Sequence, residues 1–141
     1  MKYMRIMAGL ASASLLAACG NAGKPERVTN FSAIGEKETI NLVGTEPFWG
    51  GKVTGGSFTY TTPEDSQGTA IMVSRFSGNN GLGFSGTYGD QPIDLTVTPG
   101  ECSDGMSDRT YPYVATLRVM GEQRTGCAWT TAQPFGGPEN P

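Results

Sequence analysis

Histidine is absent from all 141 positions of the chain. That excludes Ser-His and Cys-His catalytic pairs and every imidazole metal ligand. Cations are scarce as well: ten Lys and Arg stand against thirteen Asp and Glu, the formal net charge is -3, and only 16% of residues are charged. A nucleic-acid partner is not expected, because phosphate neutralisation needs clustered cations. No window keeps a helical period over three turns. What is plentiful is glycine, 21 residues, with nine prolines beside it. Both residue types favour turns and strands over long helices. The length suits one domain.

The N-terminus carries an address. Lys2 and Arg5 precede Ile6–Ala18, a run of 13 uncharged and mostly apolar residues. Such a run matches the apolar region of a signal peptide and falls well short of a ~30 Å hydrocarbon core. It ends in Leu16-Ala17-Ala18-Cys19-Gly20. These residues resemble the lipobox of bacterial lipoproteins. The resemblance implies cleavage before Cys19, a diacylglycerol thioether on its sulfur and acylation of the new amino group. Two or more acyl chains anchor firmly where one anchors only marginally. Gly20, where aspartate would signal inner-membrane retention, favours by the same rule the outer membrane, facing the periplasm. Removal of Met1–Ala18 takes 18 of 141 residues and two of ten cations, so 123 residues remain with eight basic and thirteen acidic side chains, net -5. Lipid, not surface charge, is then the expected attachment, because an acidic surface repels anionic headgroups.

With Cys19 assigned to lipid, Cys102 and Cys127 remain, 25 positions apart. In an oxidising compartment an even pair reads as a disulfide. A redox or metal pair is the alternative, although C-x-x-C spacing is absent.

Residues 19–33 are expected to form the lipidated N-terminus and a flexible tether, 34–132 the domain, and 133–141 a disordered tail rich in proline and glycine. From Ile40 onward apolar residues alternate: Ile40 and Leu42; Phe58 and Tyr60; Ile71 and Val73; Leu82 and Phe84; Ile93, Leu95 and Val97; Tyr113, Ala115, Leu117 and Val119. Period two places them on one face of antiparallel sheet. Turn signals such as Gly55-Gly56, Gly78-Asn79-Asn80-Gly81 and Pro99-Gly100 separate the runs. Seven or eight strands fit. Glycines within them indicate close chain approach. The expected fold is all-β, a small antiparallel barrel or strongly curved sheet.

Two segments carry unusual chemistry. In Gly44-Thr45-Glu46-Pro47-Phe48-Trp49-Gly50, the aromatics Phe48 and Trp49 either plug a barrel end or wall a ligand patch anchored by Glu46. In Cys102–Tyr113, Ser103, Asp104, Met106, Ser107, Asp108, Arg109 and Tyr111 form either a self-bonded connection or a recognition loop. A calcium loop through Asp104 and Asp108 is disfavoured, since the required residue order is missing. Glu46 and Arg109 are expected to pair as a brace, because Glu46 otherwise lacks a partner beside two aromatics.

Together, G-T-E-P-F-W, C-S-D-G-M-S-D-R-x-Y-P-Y, an A-x-L strand and Gly126-Cys127-Ala128 resemble a family of small uncharacterised bacterial envelope proteins. Its members are often lipoproteins, and the domain sometimes accompanies META/HslJ-like or MliC-like lysozyme-inhibitor domains. The resemblance spans Leu42–Ala128 and implies an envelope location and a single Cys102–Cys127 pair.

No enzyme and no cofactor are expected. A nucleophile would need Lys, Asp or Glu as its base, and the mature lysines are only Lys24, Lys37 and Lys52. The expected function is a non-catalytic binding or structural role at the membrane, with an envelope protein as partner. Inhibition of a c-type lysozyme is an alternative, with Ser107 and Arg109 reaching the enzyme's carboxylates. A further alternative is a small hydrophobic ligand walled by Phe48, Trp49 and Tyr88.

Overall fold

The computed structural model describes residues 29–140. The signal peptide, Cys19 and most of the tether lie outside the described residues. Within them the chain is all-β, as the alternation requires. Eight strands follow in order: β1 Ile40–Gly44, β2 Gly50–Thr54, β3 Ser57–Thr61, β4 Thr69–Ser77, β5 Leu82–Tyr88, β6 Gln91–Cys102, β7 Tyr111–Val119 and β8 Glu122–Trp129. Each pairs antiparallel with the next, and β8 pairs with β1, so the meander closes into a barrel.

Closure follows from the pattern of side chains. Ile40, Leu42, Val53, Phe58, Tyr60, Ile71, Leu82, Phe84, Ile93, Leu95, Val97, Tyr113, Ala115, Leu117, Val119 and Ala128 form one buried cluster. An eight-stranded barrel is just wide enough for such side chains to fill it. Between them, Lys52, Asp94, Thr96 and Arg118 face outward and are exposed. The polarity is the inverse of a membrane-spanning barrel, whose outer band is apolar and whose lumen is polar. Gly86 on β5 lies where a Cβ would collide with the Met72 carbonyl of β4, so side chains are excluded at that approach.

The meander places the connections 45–49, 62–68, 89–90 and 120–121 at one end. There Tyr60 packs edge-on against Tyr88 at 5.4 Å. Arg124 donates to the Tyr60 hydroxyl at 3.1 Å and pairs with Glu122 at 3.2 Å. Burial pushes the Tyr60 phenol above its ordinary pKa. The other end is closed by the segment preceding β1. Ile34 is buried, the Phe31 ring meets Tyr113 edge-on, and Arg75 donates to the Ile34 carbonyl at 2.7 Å. Among the described residues packing therefore begins at Phe31, within the 19–33 stretch assigned to the tether and at the start of the Phe31–Ile34 stretch where packing is expected to begin.

The C-terminal expectation needs a larger correction. Residues 133–140, expected as a disordered tail, lie along the outside of the barrel. Gln133 accepts a hydrogen bond from the Tyr113 hydroxyl and donates to the Ala33 carbonyl, joining the segments before β1 and after β8 to a core side chain. Gly136 forms a β-bridge with Thr110. An aromatic residue, Phe135, has buried partners to reach, and proline and glycine composition alone conceals this.

Candidate functional site

The first motif is a connection built around Trp49. The indole is 4% exposed and lies across Gly44 and Gly126, where a Cβ on either glycine would overlap the ring. Its Nε1–H donates to the Thr125 carbonyl at 3.0 Å. The same carbonyl accepts from the Thr45 amide at 3.0 Å. The Thr45 and Thr125 hydroxyls bond at 3.0 Å, and the Gly44 amide closes the loop onto the Trp49 carbonyl at 2.7 Å. A large ring is thus seated on glycines of neighbouring strands, with its one polar atom satisfied. Trp49 belongs to the buried core at the end of β1, as expected of the plug of a barrel end. Phe48 does not: it is 43% exposed. Glu46 is exposed beside it and forms no ion pair among the described residues.

The second motif is a self-bonded loop on the outer wall. Cys102 at the end of β6 and Cys127 on β8 are joined as a disulfide, with Cα atoms 5.6 Å apart. Cys127 points away from the barrel interior, yet it is fully buried beneath the loop. Asp104 is the centre of the loop, 5% exposed. Its Oδ1 accepts from the amides of Met106 at 3.0 Å and Ser107 at 2.8 Å. Its Oδ2 accepts from the Ser107 hydroxyl at 2.7 Å and the Tyr111 hydroxyl at 2.9 Å. Burial opposes the charge, but the four donors outweigh it and hold the carboxyl well below the usual carboxylate range. Conversely, burial and then the Asp104 carboxylate raise the Tyr111 phenol.

Around this loop lies a second apolar cluster, outside the barrel. Tyr111, Trp129 and Phe135 pack with ring centroids 5.3 to 5.7 Å apart. The Arg109 guanidinium sits 4.3 Å above the Phe135 ring. Its Nε donates to the Pro138 carbonyl at 2.8 Å, and its Nη2 to the Glu139 carbonyl. The expected Glu46–Arg109 brace is therefore not formed. Arg109 turns to the tail, where an aromatic face and two carbonyls satisfy it, and Glu46 stays in solvent. Ser107 and Arg109, expected to face a lysozyme's carboxylates, are engaged within the chain. Asp108 and Ser103 are exposed.

The two motifs meet. Thr45, Glu46 and Phe48 line one side of an open cleft of about 380 Å³, and Ser103, Asp104, Gly105 and Met106 line the other. Met106, like Phe48, is a large apolar side chain left in solvent, at 58% exposure. The cleft includes neither Trp49 nor Tyr88, so the three expected ligand walls are not assembled around one hollow. Among the described residues no three His, Cys, Asp or Glu side chains cluster to hold a metal ion. Trp129 and Phe135 were not legible as site residues. The aromatic at 135, isolated among prolines and glycines, was the available signal.

Compared with known protein families, curated proteins and solved structures, the chain gives no significant match.

Proposed function

We propose that the chain is a lipoprotein of the bacterial envelope, anchored through Cys19 at the outer membrane and facing the periplasm. Its barrel is a non-catalytic scaffold that presents the Glu46–Phe48–Met106 cleft to another envelope protein. The observation that carries this reading is the division of apolar side chains. The interior is filled by its own residues, which moves recognition to the outer surface. There Phe48 and Met106 flank one carboxylate on two loops pinned by Trp49 and by the disulfide. Exposed aromatic and methionine side chains on a rigid support are the usual anchors of protein interfaces. The partner's matching surface is an apolar patch beside a cation.

A photo-crosslinking residue in place of Met106, activated in living cells, is expected to yield one discrete adduct. Phe48→Ala or Glu46→Lys should abolish it, while the same probe at Arg118, on the outer face of β7, should yield none. Diffuse labelling, or a Met106 adduct indifferent to both substitutions, would remove the cleft as the recognition surface. The anchor is tested separately: Cys19→Ser should release the protein from the membrane fraction.

A further inference from the structure

The outer face of β4 breaks the rule of polar side chains outward. Met72 and Phe76 are 79% and 71% exposed, more than any other large apolar side chain among the described residues. Their cross-strand neighbours leave them bare. Phe76 lies opposite Gly83 on β5, Met72 lies opposite Ser57 on β3, and Ser74 between them lies opposite Ser85. None of these is long enough to cover a ring or a thioether. Exposed apolar side chains grouped on one face mark a contact surface for protein or membrane.

Two observations choose between those. The first is where the chain enters. β3 pairs with β4 only as far as Met72, so residues 73–77 run on past the β2–β3 turn toward the 78–81 connection. There the segment preceding β1 flanks them instead. The Phe31 amide donates to the Gly78 carbonyl at 2.7 Å, the Ser77 hydroxyl to the Phe31 carbonyl and Arg75 to the Ile34 carbonyl. Cys19 stands ten positions before Thr29, the first described residue. A chain of that length spans at most about 35 Å. A lipid on Cys19 therefore holds this hairpin, of all parts of the barrel, next to the bilayer.

The second is charge. Between Asp65 and Asp90 the sequence has no acidic residue, and Arg75 is its one charged side chain. Asp65 and Asp90 themselves belong to connections at the opposite end of the barrel. Asp94, across β5, accepts from the Ser85 hydroxyl at 2.7 Å, and Glu36, before β1, is followed by Lys37. A mature chain of net -5 is repelled by anionic headgroups over most of its surface, but not along this hairpin.

We propose that the outer face of the β4–β5 hairpin, through Met72 and Phe76, docks on the lipid surface to which Cys19 is tethered. The proposal rests on the Cys19 anchor and adds an orientation to it. Two side chains entering the headgroup boundary hold a free protein weakly, but a tether makes the contact intramolecular. Docking fixes which side of the barrel faces the bilayer. The connection carrying Glu46 and Phe48, at the opposite end, is then turned to the periplasm.

The test uses the lipidated chain reconstituted in vesicles of phosphatidylethanolamine and phosphatidylglycerol, with bromine on acyl carbons near the headgroup as quencher. The emission added by Phe76→Trp is expected to fall at least about two-fold with brominated lipid. The emission added by Arg118→Trp, on the outer face of β7, should not change. Asn80→Trp, at the hairpin tip, should also be quenched, and adding Met72→Glu and Phe76→Glu should remove that quenching. Equal quenching at positions 76 and 118, or none at 76, would overturn the proposal. Concentration-dependent dimers in solution that Phe76→Glu disperses would also overturn it, in favour of a second copy on this face. The anchor is judged apart from the face, by the Cys19→Ser fractionation. Should the chain carry no lipid, the Cys102–Cys127 disulfide leaves Cys19 as its one thiol. Coupling that thiol to a maleimide phospholipid supplies the tether, and the same quenching decides.

Discussion

Inside the barrel, Phe58, Leu95, Leu117 and their neighbours share one continuous cluster. On the outer wall, Asp104 alone gathers four donors, one disulfide ties the loop to β8, and three rings form a small separate cluster. The interior is redundant: each side chain contributes a part of a common buried volume. The outer buttress depends on single groups whose loss leaves polar atoms without partners. A loop without its own core can still be rigid, provided its backbone donors converge on one buried carboxylate.

The contrast is tested most severely at Trp49, which belongs to the core yet holds a motif loop. Trp49→Ala should cost about 3–5 kcal/mol and lower Tm by on the order of 15 °C. A single cooperative transition by calorimetry is expected, since the ring packs on β1 and β8 alike. A change of under about 1 kcal/mol would mean that the indole is a surface feature and not part of the core.

Next comes the disulfide. Reducing it, or replacing both cysteines by serine, should cost about 2–5 kcal/mol. The outer cluster should loosen first: in a Trp49→Phe background, Trp129 emission should shift at lower denaturant than the far-ultraviolet signal of the strands. Coincident transitions would show that buttress and barrel are one cooperative unit, and the distinction between them would fail.

The smallest expected effect is at Asp104, and it has a pH signature. Its carboxyl is held below the usual range in the folded chain, so the unfolded chain binds its proton at higher pH than the folded chain does. The stabilisation is fully present above the unfolded value near pH 4 and is lost as pH falls through the folded value. Asp104→Asn should lose about 1–3 kcal/mol at pH 7, the worth of hydrogen bonds to a charged group. Its Tm should fall less between pH 7 and pH 3 than that of the unaltered chain. Parallel pH curves would show that the carboxylate charge is not what organises the loop.

The barrel was legible because its rule is local. Alternation at Ile93, Leu95 and Val97, or at Tyr113 to Val119, assigns each residue to a face without reference to the rest of the chain. Closure between β1 and β8 is less visible, since no residue near Ile40 announces a partner near Trp129. The motifs were legible as motifs but not as geometry. Phe48 and Trp49 are adjacent aromatics with opposite fates, because only the second meets Gly44 and Gly126 across the barrel seam. Arg109, expected to pair with Glu46, instead meets Phe135 and two carbonyls.

The sequence by itself determined the all-β class, the interior residues, and the two segments whose chemistry exceeds that of turns. Each of these follows from side-chain periodicity or composition within about ten residues. Only the tertiary structure decided which wall the Cys102 loop covers and that residues 133–140 pack beside it. Those outcomes depend on contacts between residues 25 to 30 positions apart, where a ring or a charged group takes whichever partner the closed barrel brings within reach.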